Sequence, residues 1–346
     1  MSNNTVSKSR NSSIELLRII SIVMILFLHI NKDMMFVNDF HMSKLSSIIM
    51  YITESLSIVA VNCFILTTGY FSVNSNTFKI RKAINIIAIT SFYGIVIYFV
   101  LVAINAESFG IKQLIKCALP YLFDKVWFIN IYIVLYLFIP FINKALKALS
   151  KKGYAILLLL LLLIFSVWPT FIPNPPYNDY GYSIVSFVMF YCIGGYLRLH
   201  LIKKANNIVW LTGYVILSAV TFVMLNFRGT HWIDYNSVFV VFAAVCLFMF
   251  FASFNFNSKF INYISLSVLS VFIIHAHQCI RPKLFTEIFD IDTKLNSNLF
   301  IFYYVAVPLV IFVLCLVIDI ARRYLFKFTV DKAFDKIKPF NFSQEI

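Results

Sequence analysis

Arg18 and His29 stand in one apolar run, Ile14-Glu-Leu-Leu-Arg-Ile-Ile-Ser-Ile-Val-Met-Ile-Leu-Phe-Leu-His29. An ionisable group at the centre of a bilayer costs roughly 2.5 to 3.5 kcal/mol on insertion scales, so such groups are kept where they pair, line a cavity or do chemistry. Eleven residues at about 100° each bring both side chains to one face of a helix, about 16 Å apart along its axis. Each alone also suits an interfacial anchor, Arg18 by snorkelling. Together, with Glu15 one turn before Arg18 and placed to pair with it, they describe a passage with two stations. The guanidinium would receive an anion, and the imidazole would handle a proton further along.

Other residues fall at the same two depths. Thr68 and Gly69 end a second apolar run near the level expected for Arg18. Small residues there serve close helix packing or let a backbone approach a phosphate, with Lys79 and Arg81 supplying charge in the loop that follows. A fourth run begins with Asp124, Lys125, Trp127 and Asn130 and continues through Tyr132 and Tyr136 to Pro140 and Asn143. Trp and Tyr suit a membrane-interface belt, but the Asn130 amide must find partners in a dry setting. In the ninth run His275 lies close to the depth expected for His29. His275 and His277, two apart, face nearly opposite sides of a helix and make a poor metal pair, so no metal is expected. His41, His200 and His231 are given no role.

The elements that must hold these residues are membrane helices. The 346 residues are 61% hydrophobic, 18% aromatic and only 13% charged, and the mean hydropathy is +0.85, which places the chain outside soluble usage. At about 20 residues per crossing, ten spans are predicted: 14 to 30, 46 to 71, 84 to 104, 127 to 142, 154 to 171, 183 to 200, 208 to 225, 237 to 253, 263 to 280 and 298 to 320. The expected fold is an all-α polytopic bundle with a cytoplasmic segment 1–13, a transmembrane domain 14–320 and a basic tail 321–346 that could lie on the inner leaflet. With both termini cytoplasmic, 20 of the 29 Lys and Arg fall on the inner side, as the positive-inside rule requires. That places the protein in the cell membrane and assigns the net charge of +14 to anionic lipids rather than nucleic acid. The first span lacks an A-x-A-like cleavage site and is expected to remain in the mature chain. Six scattered cysteines read as small apolar residues. Pro169 to Pro176 predicts a non-helical external connection, and no internal repeat is visible.

These residues resemble the acyltransferase-3 family of integral-membrane acyltransferases, particularly members that O-acetylate surface polysaccharides. Arg18 and His29 reproduce its Arg, ten residues, His motif, and Glu15 sits at an often acidic position. Phe64-Ile-Leu-Thr-Thr-Gly-Tyr-Phe71 is similar to its second-helix Ser-Gly-Tyr motif, with Thr68 for serine. The stretch from Val126 to Asn143 resembles its Trp-Phe, Tyr, Pro-Phe-x-Asn segment. Ser270-Val-Phe-Ile-Ile-His275 resembles its late Tyr-Leu-Ile-His element, with Ile273 where tyrosine is usual. The loop Phe78-Lys-Ile-Arg-Lys82 departs from the pattern, because a second arginine common after the first is Asn85 or missing.

The resemblance implies transfer of an acyl group, acetyl first among candidates, from cytoplasmic acyl-coenzyme A (acetyl-CoA) to a hydroxyl of a surface polysaccharide or a lipid-linked glycan. His29 is the expected general base, with a transient acyl-imidazole as the alternative. Arg18 would bind phosphate or hold Glu15. Asn130, Trp127 and His275 would orient the acceptor or stabilise developing negative charge, while Thr68, Gly69, Arg81 and Tyr136 complete the expected substrate contacts. The competing reading is a transporter or flippase of a lipid-linked glycan. A glycan polymerase fits less well, since it needs a large external loop.

Overall fold

The computed structural model describes residues 11–37, 41–75, 80–123, 126–172, 175, 177–201 and 206–334. Lys79, Asp124, Lys125 and the end of the basic tail, 335–346, lie outside these. Among the described residues the chain is helical and without strands. Ten apolar helices follow one another: α1 Ser12–Phe36, α2 Lys44–Ser72, α3 Ile80–Ala103, α4 Trp127–Ala148, α5 Lys151–Phe171, α6 Ile184–His200, α7 Asn207–Phe227, α8 Thr230–Ala252, α9 Lys259–His275 and α10 Phe300–Phe328. Eight are long and apolar enough to cross a membrane, and α6 and α9 are shorter. Polar residues open several of them: the side chains of Asn11, Ser43, Ser150, Ser183, Asn206 and Ser258 each accept a hydrogen bond from a backbone N–H of the first turn, satisfying donors that the helix itself leaves free.

Successive spans alternate in direction. At the basal end, where α1 begins, Ser13 Oγ donates to the Phe251 carbonyl at 2.5 Å and the Ser258 N–H donates to Ser12 Oγ at 2.7 Å, tying α1 to the end of α8 and the start of α9. At the distal end Arg281, just past α9, pairs with Asp33 of α1 at 3.2 Å. Two apolar cores result. One gathers α2, α4, α5, α6 and α8 with Tyr214 of α7, the other α1, α2, α3, α9 and α10, and residues of α1, α2 and α3 belong to both.

Helices α2 and α6 cross in close contact. A Cβ on Gly69 would collide with the Tyr191 carbonyl oxygen, and one on Gly194 with that of Leu66. Small residues are what let two backbones meet in this way, so Gly69 is a packing residue. Asn143 locks the basal end of α2: its amide donates to the carbonyls of Ser72 and Ser75 at 2.7 and 3.0 Å, and its oxygen accepts from the Tyr191 hydroxyl at 2.6 Å.

Several helix ends differ from the predicted spans, and two departures have a visible cause. Helix α5 continues past Pro169 to Phe171, because a π turn at Leu163–Val167 precedes it and the widened ladder accommodates a residue that has no N–H to give. Helix α10 runs to Phe328 rather than ending near 320. Asp319, wholly buried, pairs with Arg322 at 2.8 Å and Arg323 at 3.4 Å and accepts the Tyr93 hydroxyl at 2.8 Å. The first charges of the predicted tail are thus neutralised inside the helix.

Candidate active site

A cavity of about 1530 Å³ opens where the two cores face each other. One face of α1 lines it along the whole span, through Arg18, Ile22, Ile25, His29, Lys32 and Phe36. These positions recur every three or four residues, the period that keeps side chains on one face. The lining reaches from Asn11 and Asn255 at the basal end to Tyr180 and His231 at the distal end.

The basal part is cationic. Arg18 pairs with Glu15 at 2.8 Å, and both face the cavity. Lys82 and Arg198 join them, Arg198 lying over the Tyr70 ring at 5.1 Å. Thr68 lines the same region, 3.3 Å from the Tyr132 hydroxyl. Arg81 does not line the cavity, whereas its neighbour Lys82 does. Tyr136 also stands behind the wall, with the Lys82 ammonium 5.1 Å from the centre of its ring.

One turn further along, rings replace charges. Phe64 and Phe128 each sit one helical turn distal to Thr68 and Tyr132, with centroids 6.3 Å apart, and Phe272 packs edge-on to Phe128 at 5.6 Å. All three line the cavity.

The histidine station follows. His29 Nδ1 lies 2.9 Å from His275 Nε2, and His275 Nδ1 lies 2.5 Å from the Val271 carbonyl. A carbonyl only accepts, so His275 Nδ1 carries the hydrogen and its neutral ring leaves Nε2 as an acceptor. His29 Nδ1 must then donate to it, which leaves His29 Nε2 with a free lone pair. His29 lines the cavity, and His275 stands behind it, almost fully buried. His277 takes no part in this contact; its Nδ1 accepts the Cys279 N–H at 3.3 Å.

Beyond the histidines the lining becomes polar again, with Lys32, Glu54 and Arg281. Asn31 fixes Glu54 by donating to its Oε2 at 2.9 Å, and Asn31 in turn accepts the Tyr304 hydroxyl at 2.7 Å. The distal end carries an aromatic cluster, Trp127 with Tyr182 at 4.6 Å and Tyr235 at 6.0 Å, held by the Asn62 amide, which donates to the Tyr235 carbonyl at 2.8 Å. Burial pushes the Tyr182 hydroxyl up from its ordinary range, so it stays protonated at neutral pH. Asn130, one turn from Trp127, does not reach the cavity, and its Oδ1 has no hydrogen-bond partner among the described residues.

The structure therefore gathers Glu15, Arg18, His29, Thr68 and Trp127 on one cavity, sets His275 behind His29, and leaves Gly69, Arg81, Asn130 and Tyr136 off it. The description of an acyltransferase domain matches residues 11–320, nearly the whole chain, under the acyltransferase-3 model. The chain belongs to the acyltransferase-3 family. No curated protein matches it, and neither does any solved structure. As a membrane acyltransferase it needs a general base beside a site where donor and acceptor meet, and the unprotonated His29 Nε2 on the cavity wall meets the geometric part of that requirement. Sequence reasoning gave no role to Lys82, Tyr132 or Glu54 in this acyltransferase. Lys82 was readable as a cation one residue from Arg81. Glu54 carried its own signal, as an acid within an apolar run.

Proposed function

We propose that this acyltransferase moves an acyl group, acetyl in the first place, from cytoplasmic acyl-coenzyme A to a hydroxyl of a cell-surface or lipid-linked polysaccharide. The observation that carries this reading is the order of groups along one cavity: cations, then an apolar stretch, then a base with a free lone pair, then a mouth of rings and polar groups. A coenzyme whose phosphates rest against Arg18 and Lys82 would lay its pantetheine arm along α1. The rise of about 16 Å over eleven residues brings the thioester to His29.

In the reaction the acceptor O–H gives its proton to His29 Nε2 as its oxygen attacks the thioester carbon. The tetrahedral intermediate collapses, the C–S bond breaks, and the imidazolium returns the proton to the departing thiolate, leaving an ester and free coenzyme A. His275 supports this by accepting from Nδ1, which holds the ring in the reactive tautomer and favours the charged intermediate. The distal cluster of Trp127, Tyr182 and Tyr235 offers flat apolar faces with hydroxyls at their edges, a surface suited to a sugar ring. The basic excess of the basal segments supports a cytoplasmic donor side.

The test is acceptor O-acylation in cells carrying His29→Ala at normal protein levels. We expect a loss of at least about 10²-fold, the usual worth of a positioned base. Full acylation would remove His29 from the mechanism.

A further inference from the structure

We infer that Phe272 and Phe128 form a gauge that limits the donor to short acyl chains, an inference that rests on the acyl-coenzyme A reading above. A base lies about 3 Å from the proton it takes, and reacting atoms approach to about 3 to 3.5 Å. The acyl carbonyl therefore sits within about 6 to 7 Å of His29 Nε2. The carbons beyond it must fit whatever walls that space.

On the basal side the wall is aromatic. The Phe272 ring is 6.0 Å from the His275 ring that backs His29, and it closes edge-on against Phe128, which is itself stacked on Tyr132 at 5.9 Å and tilted against Phe187 at 5.6 Å. Each ring thus has aromatic neighbours behind its cavity-facing side. Close-packed rings yield to an intruding chain only with strain. Ile25 and Leu28 of α1 line the same stretch.

On the distal side the wall is charged. Lys32, Glu54 and Arg281 line the cavity just past His29, and a hydrocarbon chain laid there would strip water from them without replacing its hydrogen bonds. A growing chain meets rings in one direction and desolvated charges in the other. Only a chain of a few carbons avoids both.

The gauge is tested by competition for radiolabelled acetyl-coenzyme A on the purified full-length protein, with butyryl- and hexanoyl-coenzyme A as competitors. The wild type should bind hexanoyl-coenzyme A at least about tenfold more weakly than the acetyl form. Phe272→Ala should close that gap to within about threefold, with Phe272→Leu in between. Phe128→Leu supplies an independent probe, and thermal unfolding in detergent verifies that each variant is folded. Equal binding of acetyl and hexanoyl donors by the wild type, or an unchanged gap in the Phe272 and Phe128 variants, overturns the gauge alone. A wild type that binds no acetyl-coenzyme A overturns the donor reading, and the gauge with it.

Discussion

Lys82 and Arg81 stand side by side at the start of α3, yet about 100° of helix separates their side chains, and only Lys82 reaches the cavity. Lys82→Ala should therefore weaken acetyl-coenzyme A binding by about 10- to 100-fold, the worth of one charge-assisted contact to phosphate, and Arg81→Ala should weaken it by less than about threefold. Isothermal titration of the two variants decides between them, and equal losses would return Arg81 to the site. At this scale the sequence revealed residues whose placement violates the rules of an apolar span. Arg18, Glu15 and His29 stood out because each is expensive there, and a single helix fixes their relative positions. Lys82 against Arg81 was not legible, since it depends on the rotation of α3 about its own axis, which packing against other helices decides. Asn130 shows the converse. Its type suggested a role, but the α4 face it occupies looks into protein.

Among the elements, α2 carries two different constraints in one run. Its distal half presents Glu54 to the cavity and its basal half presses against α6. The turn at Ile58–Val59 between Lys44–Ser57 and Ala60–Ser72 lets the two halves serve different neighbours. Gly69→Ala places a methyl group against the Tyr191 carbonyl and should destabilise the protein by about 1 to 3 kcal/mol. A lowered midpoint of thermal unfolding in detergent is the expected result; an unchanged midpoint would show that α2 and α6 can separate without loss. All ten helices were legible from apolar length alone. The helical placement of Pro169 and the end at Phe328 were not. One depends on a π turn that has no sequence signature, the other on Asp319 finding two arginines on its own helix.

For the whole molecule, the cavity has two mouths of different chemistry, and the reaction proposed for it has a direction only if the molecule has one orientation. The orientation proposed above, with the basal side cytoplasmic, follows from the excess of Lys and Arg in the basal segments. Ser150→Cys, in the exposed basal connection between α4 and α5, should resist a membrane-impermeant maleimide added to intact cells, while Ser108→Cys, in the exposed connection after α3, should react. The comparison is made in a background with Cys279 replaced by serine, and the opposite pattern would reverse the donor and acceptor sides. What no single sequence could reveal is that the two apolar cores leave a gap between them, because that gap is a property of how helices distant in the chain meet. The His29 to His275 contact joins residues 246 positions apart.

That separation has a consequence for biosynthesis. While a growing chain has delivered only its first eight spans to the membrane, the imidazole in α1 has no neighbour to choose which of its nitrogens carries hydrogen, and the groove beside it lacks the side closed by α9. On the proposed mechanism, the reactive tautomer of that imidazole is set only when the ninth span docks.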